Sequence, residues 1–156
     1  MQYKGTLVAV NDIEKSKQFY NTVLGLEVVM DAGANVQLTD GVFLQTVDTW
    51  AGFINKEKSE IVFSNNAVEL YFETDDMDMF IENIKAFNSI EYLHQVVEHS
   101  WGQRAVRFYD LDKHIIEVAE NLVMVIKRFI NSGLTLEQTA ERMDVDVNYI
   151  KSALGD

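Results

Sequence analysis

The sequence of 156 residues contains no cysteine. That excludes disulfides, a thiolate nucleophile and sulfur-ligated zinc, so a bound metal would have to be held by His, Asp, Glu or Gln. Positive charge is scarce: 13 Lys and Arg stand against 25 Asp and Glu, for a net charge of -12, nearly all of it on residues 1–120. Such a field repels phosphate backbones and argues against nucleic acid, while it suits cations and neutral small molecules. No apolar run approaches the length of a membrane span. The opening MQYKGTLVAVND lacks the apolar stretch and small-residue cleavage site of a secretory signal, so the expected location is the cytoplasm, with no membrane partner. Glycine-rich phosphate loops, a Ser-His-Asp arrangement and a His-Glu zinc helix are missing as well. Histidine is sparse: His94 and His99 would face opposite sides of a regular strand, and His114 opens one. All three read as surface or loop residues, with Glu98–Trp101 as a rim to any cavity.

What is present is the composition of a folded domain, 47% hydrophobic and 24% charged. Thr6–Val10 is a short β-branched run. Asn11 and Glu14 can form a capping box for a helix from Ile13 to Leu24, which Gly25 ends. Leu26–Met30, Val36–Thr39 and Val42–Asp48 follow as strands, with Asp40-Gly41 as a hairpin turn. After a polar linker, 55–66, the order recurs: strand Val68–Thr74, a helix from Met77 to Phe87 capped by Asp75 or Asp76, then strands Tyr92–Glu98, Arg104–Tyr109 and His114–Ala119. An offset of 64 residues superposes Asp12 on Asp76 and Gly5 on Glu69. This is the pattern of a duplicated βαβββ unit. Residues 121–156 differ in kind and predict three short helices, Leu122–Ile130, one opened by the capping box Thr135-Leu-Glu-Gln138, and Val147–Leu154. Leu134–Leu154 resembles a helix-turn-helix, with Ala140 at the close helix contact and Ile150 in its core. Its second helix offers DNA only Lys151, behind Asp144 and Asp146.

A regular four-residue turn at Asp110–Lys113 would set residue 106 opposite 117. Arg104, Val106 and Phe108 would then share a face with Ile115, Glu117 and Ala119. Glu117 either pairs with Arg104 there or projects into a ligand cavity. Trp50 and Trp101, each in a loop beside a strand end, could wall that cavity, while Phe43, Phe53, Tyr71 and Phe108 are large enough to fill the interface between sheet and helices.

The paired repeat, with VNDIEKSKQFYNTVLGLEV in the first unit and WGQRAVRFYDLDKHIIEV in the second, resembles the vicinal oxygen chelate superfamily, which includes glyoxalase I, bleomycin resistance proteins, fosfomycin resistance proteins and extradiol dioxygenases. The resemblance covers residues 1–120. It implies an α+β fold of paired βαβββ repeats forming a cup-shaped half-barrel, here with a C-terminal helical extension over 121–156. It also implies a homodimer. Relatives hold a divalent ion at positions matching Gly5, Gln45, Glu69 and Glu117. Gly5 has no side chain to offer, and histidines usual in the family are missing. Gln45, Glu69 and Glu117 alone form an incomplete set that could hold Mn or Mg in preference to Zn, Ni or Fe.

Three functions follow as expectations. The first is binding or sequestration of a small molecule, with no cofactor, in an acidic cup lined by Gln45, Glu69, Trp50, Trp101, Arg104, Phe108 and Glu117. The alternative is a divalent-metal-dependent lyase or isomerase resembling glyoxalase I, a lactoylglutathione lyase, in which Glu117 or Glu69 moves the substrate proton. The last is a sensor whose cup binds an effector that the C-terminal helices report.

Overall fold

The computed structural model describes residues 1–155, in the order β1 (Thr6–Val10), α1 (Ile13–Leu24), β2 (Val28–Asp31), β3 (Asn35–Leu38), β4 (Val42–Thr46), α2 (Val47–Phe53), β5 (Glu69–Thr74), α3 (Met77–Lys85), β6 (Glu91–Glu98), β7 (Arg104–Tyr109), β8 (Ile115–Glu120), α4 (Leu122–Asn131), α5 (Leu136–Met143) and α6 (Val147–Leu154). The strands form two sheets of four, ordered β1-β4-β3-β2 and β5-β8-β7-β6. The shared order is what two copies of one βαβββ unit produce. The architecture is the expected α+β fold of paired units followed by helices. Cα packing divides the chain into two compact units: Met1–Leu70 with Tyr109–Ile116, and Tyr71–Phe108 with everything from Glu117 onward.

In the first sheet β1 runs parallel to β4, while β2, β3 and β4 are antiparallel neighbours. The Asp40-Gly41 turn has positive φ at both residues, as a tight hairpin turn needs. Val8, Val10, Val36, Leu38 and Leu44 are buried, and the hydroxyl-bearing ring of Tyr20 on α1 is buried with them. Helix α1 is capped by Asp12, which accepts from the Lys15 backbone N–H, and not by Asn11. Asn11 instead donates from its backbone and its side chain to the Asp112 carboxylate. The strand expected to reach Asp48 stops at Thr46, where the chain turns into α2, so Trp50 lies on a helix and not in a loop.

In the second unit, Val106, Phe108, Val118 and Ala119 are buried. The C-terminal helices close a cluster of Val125, Ile126, Phe129, Ala140, Met143 and Ile150. Ala140 and Ile150 thus sit in the core as their positions in the helix-turn-helix pattern required, and Asp144 takes the left-handed conformation that ends α5. Helix α4 is held to the sheet through Phe129, whose ring occupies the space a side chain would need at Gly102, where φ is +89. Arg128 and Arg142 both lie over that ring, at 5.1 and 5.5 Å from its centre.

Candidate functional site

The turn between β7 and β8 decides which side chains meet. Lys113 N–H donates to Asp110 C=O at 3.3 Å, Asp110 N–H donates to His114 C=O at 3.0 Å, and Lys113 has φ +69. This is a three-residue loop with a left-handed residue at its end, one residue shorter than the loop expected from the sequence. The pairing slips by one position, and every side chain of β8 changes its partners. Glu117 therefore pairs with Arg107, not with Arg104. Arg104 is bonded through Nε and a terminal nitrogen to Glu120, both at 3.1 Å, and to Asp78 at 2.6 Å. Glu120 also receives Arg128, at 3.2 and 3.0 Å. Burial alone would raise the Glu120 carboxyl; bonds from Arg104 and then Arg128 outweigh it and hold the group below its usual range, while Arg104 is held above its own.

Glu117 is buried, 4% exposed. Its surroundings within the second unit are polar and organised. Arg107 also approaches His94 Nε2 at 3.3 Å. Gln103 donates to the Tyr71 hydroxyl at 3.3 Å and to the Glu120 carbonyl at 2.8 Å. It accepts from the Trp101 indole at 3.0 Å. Burial, then the bond to Glu73 and the charges of Glu73 and Glu117, keep the Tyr71 phenol protonated beyond its ordinary range. Trp101 stacks on His99, with ring centres 4.4 Å apart. Phe108 lies fully buried in the core, edge-on to Tyr92.

The first unit holds a half-open cavity of about 190 Å³. Its walls come from β1 (Thr6 to Ala9), Trp50 of α2, Phe63 and neighbours in the segment before β5, Glu69 at the start of β5, and Lys113 to Ile115. Of the residues singled out in the sequence, Trp50 and Glu69 meet here. Phe63 gives no signal in the sequence because it lies in a polar linker, and His114 reads as surface because it stands beside a turn. Behind the wall, buried Asp110 accepts from the Tyr20 hydroxyl at 2.8 Å and lies 2.8 Å from His114 Nδ1. Burial and then the Asp110 charge push the Tyr20 phenol well above its ordinary range.

The four family metal positions do not form a ligand set. Gly5 has φ +147, and a Cβ there would overlap the Gly41 carbonyl, so this backbone admits no side chain at all. Gln45 is 2% exposed. Its amide oxygen accepts from Asn35 at 2.7 Å and its amide nitrogen donates to Thr49. Glu117 is neutralised by Arg107. Among the described residues no group of three or more His, Asp or Glu side chains is placed to hold a metal ion. The residues present do not fit a divalent ion of the family type.

Two open sheets of order 1-4-3-2, each with a helix after its first strand, define a protein of the vicinal oxygen chelate class. A family model described as a glyoxalase-like domain matches residues 3–123, and the chain belongs to that family. Among solved structures, a protein of unknown function from Agrobacterium tumefaciens str. C58 is 31% identical, with TM-score 0.68 over 78% of this chain and 94% of that one. A glyoxalase-related enzyme from Fulvimarina pelagi shares 19% identity at TM-score 0.65, over 78% and 89% of the two chains. A lactoylglutathione lyase from Agrobacterium tumefaciens shares 22% at TM-score 0.54, over 75% and 91%. These last two likenesses are of fold. No curated protein matches the chain. Among the described residues no helix is long and apolar enough to cross a membrane.

Proposed function

We propose that the protein binds a small aromatic molecule, without a metal, in the cavity of its first unit. The observation that carries this reading is the half-open cavity in which Trp50 and Phe63 supply aromatic walls while Glu69 and His114 supply polar groups. Ligand sites are commonly concave and mostly apolar, with a few placed polar atoms. The excess of negative charge favours a cationic aromatic over an anionic one. The lyase alternative is less well supported, because Gln45 and Glu117 are committed to partners inside the protein and Gly5 contributes nothing. Residues 121–156 serve, in this reading, as an extension that packs on the sheet through Phe129 and the arginines around Glu120.

The homodimer belongs to the same proposal. Edge strand β2 exposes Val28, Val29 and Met30 at 49, 59 and 50%, an apolar strip of the kind subunit contacts cover. Light scattering at the monomer mass would remove it.

For the cavity, aromatic amines are expected to raise the unfolding temperature, with or without chelator. Trp50→Ala is expected to weaken their binding about tenfold or more, as loss of a buried aromatic wall does. Affinity unchanged in Trp50→Ala, or abolished by chelator in the wild type, would contradict the reading.

A further inference from the structure

We propose that His114 selects the ligand of this cavity, acting as a fixed hydrogen-bond acceptor for a hydroxyl group carried on an aromatic ring. The proposal rests on the cavity being the ligand site.

The Asp110 side chain is 2% exposed. One oxygen, Oδ1, accepts from the backbone N–H groups of Asp112 at 2.9 Å and His114 at 2.8 Å. The other, Oδ2, accepts from the Tyr20 hydroxyl at 2.8 Å and faces His114 Nδ1 at the same distance. The two backbone N–H groups can only donate, and the Tyr20 hydroxyl donates here, so an ionised Asp110 is an acceptor throughout. The network therefore assigns the His114 proton to Nδ1 and leaves the lone pair on Nε2. The ring is also held against the edge of Phe63, with centres 5.9 Å apart. Its tautomer is thus fixed from behind by Asp110, which does not line the cavity, and its orientation is fixed jointly by Asp110 and by Phe63 in the wall.

An acceptor held in this way, beside Trp50, Phe63, Leu7 and Val68 in a wall that also carries Ser64, Asn65 and Asn66, has a chemical consequence. A ligand that places a hydroxyl against Nε2 satisfies it; an isosteric ligand without the hydroxyl leaves it desolvated and unpaired. Sites of this kind discriminate far more strongly than apolar pockets do. Glu69 lies on the same wall, and Lys113, the cation there, stands over the Tyr109 ring at 5.4 Å, so the ligand class is a phenol bearing a cationic arm.

The test compares tyramine with phenylethylamine, which share the ring and the ammonium group and differ only in the hydroxyl, by calorimetric titration of the full chain. Tyramine is expected to bind at least about tenfold more tightly. In His114→Asn, whose amide can still donate to Asp110 but has no Nε2, the two affinities are expected to converge to within about twofold. The ring-nitrogen NMR shifts of His114 in the wild type supply a readout that needs no variant, and an Nδ1–H tautomer is expected. Equal affinities in the wild type, a preference that survives in His114→Asn, or an Nε2–H tautomer would each overturn the role of His114 while leaving the cavity reading intact. Failure of both amines to bind would overturn both.

Discussion

Replacing Gly5 with alanine is expected to destabilise the protein by about 3 kcal/mol or more, a value typical of backbone strain combined with overpacking. The new Cβ would overlap the Gly41 carbonyl oxygen and stand 2.7 Å from its carbon and 2.8 Å from the Phe43 ring. A flexible side chain could move away from such a contact. The Gly41 carbonyl cannot, because the turn that carries it leads directly into β4, and β4 pairs with β1 from Thr6 opposite Val42. Relief would require parting β1 from β4 at the end of their pairing. The residue has a second significance, since it occupies the place where metal-dependent relatives offer a ligand. A histidine introduced there would break the strand pairing before it reached an ion. Urea unfolding of Gly5→Ala measures the effect, and a loss of under about 1 kcal/mol, within the range of an ordinary substitution, would show that the strands can part at little cost.

Glu120→Ala is expected to cost about 3 kcal/mol, the lower end of the range for removing one partner from a buried ion cluster. The lower end applies because Arg104 and Arg128 retain side-chain exposures of 22 and 34% and can recover some hydration. The same carboxylate sets a pH dependence. Its folded pKa lies below the unfolded one, so its contribution is fully present above the ordinary carboxylate range of about 4.3 and is lost as pH falls through the lower, folded value. The unfolding temperature of the wild type should therefore fall on acidification more steeply than that of Glu120→Gln. Parallel curves would mean that the carboxylate is no better held in the folded chain than in the unfolded one.

The fold was legible because its signals are local and repeated. Asp12 and Asp76 each open a helix after a short apolar strand, and strand β7 and helix α6 fall at the residues their patterns required. The site was legible only in part, for reasons that trace to single residues. Glu117 was recognisable as a carboxylate out of place in an apolar strand, but its partner depended on one residue of loop length. Nothing in Asp110-Leu-Asp-Lys113 announces that Lys113, a residue with a Cβ, will take the left-handed conformation that glycine usually fills. From that slip follow both the pairing of Arg107 with Glu117 and the removal of Arg104 to Glu120. An arginine between Val106 and Phe108 was the available clue. Phe63 carried no comparable signal: its linker is polar, and it reaches the cavity only through tertiary packing. Trp50 and Glu69 were singled out for a shared site and do meet, though Trp50 arrives on a helix. His114 looked peripheral because the buried carboxylate that orients it lies four residues away across the turn.

Metal-free binding is tested most directly by thermal unfolding of chelator-treated protein with manganese, magnesium, nickel and zinc added in turn. An ion that binds only the native state stabilises it by about 2.7 kcal/mol at a hundredfold over its dissociation constant, which is several degrees for a chain of this size. With Gln45 and Glu117 committed to Asn35 and Arg107, and Gly5 closed to any side chain, no specific shift is expected from any of the four. A shift that one ion produces and Glu117→Gln abolishes would contradict the reading and return the protein to the metal-dependent members of its class.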